Sequence, residues 1–214
     1  KMEVLFDDLI SDNELITQIR LGRKMLGDSI TLAIDFGYRW RSWADAKWVL
    51  DRIEDCNIYF AEAPLQHDDL LGHARLASQS SIRIGGAEFS ATRFEAREWL
   101  EVGKVHVIQS AIDRAGGFTE MKRIADLAQY YGADVIPHGW KTGITTVSSC
   151  HLQAACSSVP LFEYVSPKVF NSPLRRDLVG PEPKINNGRI AIPNKPGLGI
   201  QLNEEAVEHF RTDR

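Results

Sequence analysis

The sequence lacks several features that would place it in large classes of proteins. Its 214 residues include only three cysteines, Cys56, Cys150 and Cys156, at spacings that match no zinc or redox motif. We therefore expect buried or semi-buried free thiols in a reducing compartment, and a cytoplasmic protein. No apolar stretch approaches the roughly 20 residues that span a bilayer, and the first residues show no charged-then-apolar signal pattern. We expect no membrane partner.

An excess of basic charge is also missing. The formal net charge is −4, the pI is about 5.9, and no long basic run occurs. A nucleic acid is therefore not an expected partner. The hydrophobic share of 43% and charged share of 25% are ordinary for a globular protein, and the length suits one large domain.

Apolar, β-prone runs alternate with segments of helical spacing along most of the chain. The runs cover residues 31–35, 58–62, 82–88, 105–109, 134–138 and 161–165. The helical segments cover residues 13–26, 43–53, 92–102 and 119–131. Such alternation predicts parallel βα units, arranged either as a doubly wound open sheet or as a (β/α)8 barrel.

Two observations favour the barrel. No G-x-G-x-x-G or Walker sequence is present, although a doubly wound nucleotide binder would need one in its first turn. Polar residues end successive runs, as expected at the C-terminal rim of a barrel, where its active site lies. We predict an α/β fold of the (β/α)8 TIM-barrel type over residues 1–171. Residues 172–214 are predicted to form an irregular or β tail, with a hairpin turn at Asn187-Gly188.

Three of the runs end in a carboxylate at nearly even spacing. These residues are Asp35, Glu62 and Glu88, and the intervals of 27 and 26 residues match one strand, one loop and one helix. On adjacent parallel strands the three would meet at one rim, where like charges repel unless a cation or protons neutralise them. Oxygen ligands favour a hard divalent ion, so the pattern predicts a Mg²⁺ site. The alternative is that these acids are helix caps or surface charges.

Further residues at the predicted rim could carry chemistry. His138 follows a strand, and its near-neutral pKa suits acid–base catalysis beside a metal. Glu163 could assist as a donor or acid, or form a structural salt bridge. Lys1 could be a base or a carboxylate-binding cation, or a frayed terminus. Trp140 and Lys141 could line the mouth of the pocket.

Taken together, these residues resemble the barrel domain of the enolase superfamily, in its mandelate racemase and acid-sugar dehydratase branch. The matching pieces are residues 34–35, 61–65, 86–88, 109 with 114–120, 137–143, 187–189 and 196–199. The resemblance covers nearly the whole chain, and the ordered set is much more specific than any single piece.

The resemblance implies a Mg²⁺ ion held by Asp35, Glu62 and Glu88, to which a substrate carboxylate binds while a base removes the proton α to it. The metal stabilises the resulting enediolate. In the dehydratases an acid then expels the β-hydroxyl, which gives a 2-keto-3-deoxy sugar acid. Lys1 falls where relatives carry a basic lysine on the second barrel strand, and His138 falls where they carry a histidine after the seventh.

The resemblance also has implications for the rest of the chain. Glu163 matches a glutamate of the eighth strand that assists the substrate carboxylate. Residues 1–171 would be a barrel domain that lacks its first strand, and residues 172–214 a tail that returns to a capping domain absent from these residues. The expected partner is a small sugar acid, and since relatives usually associate, we expect a homo-oligomer.

Two positions depart from the pattern of that family. Relatives orient the histidine with an aspartate where this chain has Ala111, and Asp113, two residues further on, could substitute. Gly37 stands where asparagine is common, which removes one polar contact near the metal or substrate.

These observations predict a Mg²⁺-dependent lyase that dehydrates a sugar acid. A racemase or epimerase is an alternative, because two bases on opposite faces could exchange one proton. A third hypothesis, based on the two departures, is a catalytically impaired homologue that binds an acid ligand. The fourth is a barrel without a metal.

Overall fold

The computed structural model describes residues 1–4, 9–180 and 184–212, and its central feature is one parallel sheet. The strands are β1 (Met2–Glu3), β2 (Leu32–Asp35), β3 (Ile58–Glu62), β4 (Ile84–Gly86), β5 (Val107–Ile108) and β6 (Asp134–Val135). They lie in chain order, and each pairs in parallel with the next. Their carboxyl ends therefore share one rim, as the alternating pattern predicts.

Helices connect these strands and follow the sixth. They are α1 (Asp12–Leu26), α2 (Trp43–Asp51), α3 (Leu70–Gln79), α4 (Arg93–Glu101), α5 (Phe118–Tyr130) and α6 (Gly143–Ala155). The four helical segments expected from apolar spacing are confirmed to within two residues at each end. Two of them begin with a capping box, Ser11 with Glu14 and Thr92 with Glu95, in which side chain and backbone satisfy each other's hydrogen bonds.

The strands bury side chains on both faces. One face packs against the helices in the main apolar core, and the other forms a small separate cluster of Ala33, Phe60, Val107 and Ile136. Because strand side chains alternate, the residues two positions further along each strand lie above this cluster, at the rim. Those residues are Asp35, Glu62, Gln109 and His138.

Most of the strands are shorter than the predicted runs, and two differences bear on the site. Residues 161–165 form no strand, although the amide of Glu163 donates to the Pro137 carbonyl at 3.1 Å and holds this segment beside the chain that follows β6. The run 82–88 ends as a strand at Gly86, because Ala87 turns the backbone into the left-handed region with φ 72°. Glu88 is therefore a loop residue.

The described part of the tail contains the short strands expected of an irregular or β tail, together with short helices that were not predicted. They are α7 (Pro173–Asp177), β7 (Val179–Gly180), β8 (Ile185–Asn186), β9 (Arg189–Ile190), β10 (Gln201–Leu202) and α8 (Glu204–Phe210). Strands β8 and β9 form the hairpin predicted at Asn187-Gly188, whose φ values of 50° and 73° are those of a type I′ turn. None of the helices in the described part of the chain combines the length and apolar character that a bilayer crossing requires.

Candidate active site

The rim of the sheet gathers the predicted acids and bases. Asp35 and Glu62 end β2 and β3 and are direct register partners. Glu88 follows β4 by two residues, and His138 follows β6 by three. Neighbouring parallel strands therefore bring together residues that lie more than 100 positions apart in the sequence.

Lys1 lies among three of these carboxylates. Its Nζ atom is 2.6 Å from Glu62 Oε2 and 3.5 Å from Asp35 Oδ2, and it also contacts Glu163 Oε1. Burial opposes the charge of Lys1, but the attraction of Glu62, Glu163 and Asp35 outweighs it and raises the pKa of the lysine. Lys1 is therefore an ordered ammonium in this arrangement, and not a frayed end.

Glu88 is held by a second set of donors. Arg114 Nη1 donates to Glu88 Oε1 at 3.0 Å, and the Tyr38 hydroxyl donates to Glu88 Oε2 at 3.2 Å. The Arg114 guanidinium also lies over the Phe89 ring, 4.6 Å from its centroid. His138 Nε2 is 3.5 Å from Glu88 Oε1 on the other side. These contacts orient the Glu88 carboxylate at the rim.

His138 connects the two sets of residues. Its Nδ1 atom lies 3.2 Å from Glu163 Oε2, an oxygen that also accepts a hydrogen bond from the Gly139 amide at 3.0 Å. Burial lowers the pKa of His138, but the neighbouring Glu163 and Glu88 carboxylates outweigh burial and raise it. For Glu163, His138 and Lys1 outweigh burial and lower the pKa. The imidazole therefore lies between two carboxylates.

The residues at this rim fit a divalent cation. Among the described residues, the carboxylates of Asp35, Glu62, Glu88, Glu163 and nearby Glu3 outnumber the permanent side-chain cations that contact them, Lys1 and Arg114. Burial, followed by repulsion from Glu163 and Asp35, raises the pKa of Glu62 to about 8. A bound divalent ion would supply the missing positive charge.

Among the described residues, the structure brings one group of candidate ligands together, and it differs from the predicted set. Among residues 1–4, 9–180 and 184–212, Glu62, His138 and Glu163 form a group of three whose ligand atoms lie within 4.8 Å of one another. The predicted set of Asp35, Glu62 and Glu88 shares the rim, but Glu88 is turned toward Arg114. The all-oxygen set suits Mg²⁺, whereas a set with imidazole suits a softer ion. The predicted ligand set stays a prediction.

Of the other predicted residues, Trp140 lines the cavity at this rim, whereas Lys141 and Asp113 do not. A cavity of about 370 Å³ is lined by Glu3, Asp35, Gly37, Tyr38, Glu88, His138 and Trp140. Lys141 forms a salt bridge with Asp113, and neither side chain is among the described residues that line this cavity. The described carboxylates within 4.0 Å of His138 are those of Glu88 and Glu163, so Asp113 does not take the place of the aspartate that Ala111 replaces.

Tyr38, Arg114 and Glu3 belong to the site or its cavity and were not predicted. Tyr38 follows Gly37 with φ 63°, a strained conformation that its backbone bonds to Ala63 and Gln66 hold in place. Arg114 belongs to the matching segment 114–120, for which no role was predicted. A tyrosine three residues beyond a strand-end carboxylate is a weak signal, and its contact with Glu88 depends on that strain.

The Tyr38 hydroxyl gives a first testable prediction. Tyr38→Phe removes only the donor to Glu88, and loss of a residue that orients a metal ligand typically weakens metal binding about 10-fold or more. We expect a loss of that size in Mg²⁺ affinity measured by calorimetry. Tyr59→Phe is the matched control, because the Tyr59 hydroxyl contacts Asp134 at 3.4 Å, at the opposite end of the strands. Equal affinities in both variants would contradict the prediction.

A family model described as "Enolase C-terminal domain-like" matches residues 7–206 of this chain. Arabinonate dehydratase of Saccharolobus solfataricus is 28% identical over 201 residues, which are 94% of this chain and 52% of that protein. D-xylonate dehydratase of Haloferax volcanii is 30% identical over 183 residues, covering 86% of this chain and 43% of that protein. The chain thus spans about half the length of these curated relatives.

Solved structures show the same relationship. The 3,6-anhydro-D-galactonate cycloisomerase from Zobellia galactanivorans superposes with a TM-score of 0.87 at 28% identity, covering 98% of this chain and 57% of that one. A crystal structure described as a candidate racemase has a TM-score of 0.90 and 45% identity, covering 94% of this chain and 53% of that one. The chain therefore belongs to the enolase superfamily, in its mandelate racemase and acid-sugar dehydratase branch.

Proposed function

We propose that this chain forms the catalytic rim of a Mg²⁺-dependent enzyme that removes the proton α to the carboxylate of a sugar acid and dehydrates that acid to a 2-keto-3-deoxy acid. The observation that carries the proposal is the convergence of two proton-transfer groups, Lys1 and His138, on one carboxylate, Glu163, beside Asp35 and Glu62. The names of the relatives, arabinonate and D-xylonate dehydratase, support a sugar acid as the substrate class.

The chain's own residues suit the two halves of a dehydration. His138, which lines the cavity, can take the proton from C2. Lys1, which its carboxylate neighbours hold as an ammonium, is the proton donor that we assign to the departing C3 hydroxyl, which leaves as water. The enol that remains tautomerises to the keto acid. Asp35, Glu62 and Glu88 would hold Mg²⁺, which would supply the charge that stabilises an enediolate.

A substrate panel in D₂O tests this function. With Mg²⁺ present, the protein should convert at least one of arabinonate, xylonate, gluconate and galactonate to a product that reacts with semicarbazide, the signature of a keto acid. Chelation with EDTA should abolish the conversion, and added Mg²⁺ should restore it. The proposal would be contradicted if no substrate in the panel gave a keto acid and none exchanged its C2 proton.

A racemase or epimerase is the second candidate. The 45% identity to a protein described as a candidate racemase favours it, as does the presence of two proton-transfer groups. The same D₂O incubation separates the two functions, because a racemase incorporates deuterium at C2 and retains every hydroxyl. A keto acid product would exclude racemisation as the main reaction.

We also propose that residues 172–214 pack against a capping domain and that the protein works as a cytoplasmic homo-oligomer. The matched relatives, about twice the length of this chain, support a further domain. Light scattering of the purified protein would measure the assembly, and a monomeric mass would contradict it.

A further inference from the structure

The end of β5 offers no carboxylate to His138. The amide of His138 faces the Gln109 carbonyl at 3.4 Å, so the residues that follow Gln109 lie next to the histidine. Ala111, two positions on, is apolar and fully buried. Asp113 is engaged by Lys141. A partner that orients the imidazole must therefore come from another part of the chain.

Glu163 lies where such a partner is needed. His138 Nδ1 is buried, and Glu163 Oε2 is 3.2 Å away, although the N–H direction falls short of a good hydrogen bond in this ring orientation. Contacts of this kind in a ligand-free site are often long or poorly aligned and tighten when substrate binds.

Contacts with the backbone of residues 137 and 139 hold Glu163 in position. Its amide donates to the Pro137 carbonyl at 3.1 Å, and its Oε2 accepts from the Gly139 amide at 3.0 Å. A Cβ atom at Gly139 would lie 2.3 Å from the Glu163 carbonyl oxygen, so only glycine allows the two segments to approach this closely. The Oε1 atom contacts Lys1, which fixes the other half of the carboxylate.

We propose that Glu163 is the positioning residue of His138: it accepts the Nδ1 proton and leaves Nε2 free to exchange a proton with substrate. Glu163 thereby replaces a carboxylate that β5 does not provide. This inference rests on the proposed function, in which His138 transfers the proton. It assigns Glu163 to the histidine and not to the substrate. A residue of this kind holds the tautomer and orientation of the base.

Kinetics provide the first test, with the sugar acid that the protein turns over best as the probe. Glu163→Gln should lower kcat by about 100-fold or more, with KM changed by less than threefold. Gly139→Ala, which pushes Glu163 away, should have the same pattern. Glu120→Gln, in a carboxylate bound by Arg93 outside the cavity, is the matched control and should keep wild-type rates. A rise in KM at unchanged kcat would place Glu163 on the substrate and overturn the proposal.

Rescue provides the second test. Ala111→Asp adds a carboxylate beside His138 from the β5 side, so in the Glu163→Gln background it should recover at least about 10-fold in kcat. A purely structural role, or a role in substrate binding, would not respond to a new acid at position 111. Failure of a folded double variant to recover activity would overturn the proposal.

A measurement without substrate keeps this inference separate from the proposed function. In ¹⁵N-labelled wild-type protein, at a pH where His138 is neutral, the nitrogen shifts should show the Nδ1–H tautomer. The Nε2–H tautomer would overturn the proposal even if the enzyme dehydrates sugar acids. The Nδ1–H tautomer in a protein that turns over no sugar acid would support the positioning role and refute only the function.

Discussion

Replacing Glu62 with glutamine is expected to lower Mg²⁺ affinity by at least about 100-fold and turnover by about 1,000-fold or more. The loss of affinity should exceed that for a residue that only orients a metal ligand. Glu62 is the most buried of the rim carboxylates, at 2% exposure, and pairs in register with Asp35. An amide keeps the shape of the side chain and removes its charge. Calorimetry of Mg²⁺ binding and steady-state rates measure the two effects.

The stability of the metal-free protein distinguishes this role from a structural one. Because burial and the nearby Glu163 and Asp35 raise the pKa of Glu62, a neutral amide relieves repulsion there, and Lys1 keeps its two other acidic partners. The free energy of unfolding without Mg²⁺ should therefore change by less than about 1 kcal/mol. Glu101→Gln, on the exposed surface of α4, is the control. Unchanged Mg²⁺ affinity in Glu62→Gln would contradict the assignment of this ligand.

Replacing Arg23 with methionine is expected to cost about 3–5 kcal/mol of stability. Arg23 is buried in the last turn of α1, and its hydrogen-bond acceptors are main-chain carbonyls. Its guanidinium donates at 2.7–2.9 Å to the carbonyls of Cys56, Gly27, Ile30 and Asn57. Methionine keeps much of the apolar volume but leaves these carbonyls without donors. Urea unfolding, with the m-value as a check on the denatured state, measures the loss.

Arg20→Met is the matched control on the same helix. Arg20 forms a bidentate pair with Asp55, but both side chains are largely exposed, at 46% and 67%. Exposed pairs of this kind contribute about 0–1 kcal/mol. Similar losses in the two variants would show that the buried carbonyl network does not carry the stability we assign to it.

The rim could be predicted from the sequence because parallel strands impose a simple geometry. Asp35 and Glu62 each end an apolar run, and strands in register bring those ends together whatever the loops do. The positions of α1, α2, α4 and α5 followed from apolar spacing, since the face that packs on the sheet must be apolar, whereas α3 and α6 were not predicted. These features depend on local patterns repeated along the chain.

The remaining features depend on backbone turns and long-range contacts. The orientation of Glu88 results from the left-handed backbone conformation of Ala87, which an alanine in the sequence does not predict. Residues 161–165 are β-prone, but their position is held by the Glu163–Pro137 hydrogen bond and not by a strand ladder. Lys1 is ordered because carboxylates 34 to 162 positions away surround it. No local signal predicts such contacts.

The spacing of the rim carboxylates has a consequence for the cooperativity of unfolding. Asp35, Glu62 and Glu88 come from three successive βα units, so a proposed ion bound to all three would be released when any one of the units opens. Binding would then stabilise β2, β3 and β4 together, by an amount set by ion concentration and affinity. Amide protons of these strands would lose their separate exchange rates and exchange as one group. A saturating ligand would thus convert three neighbouring units into a single unit of unfolding.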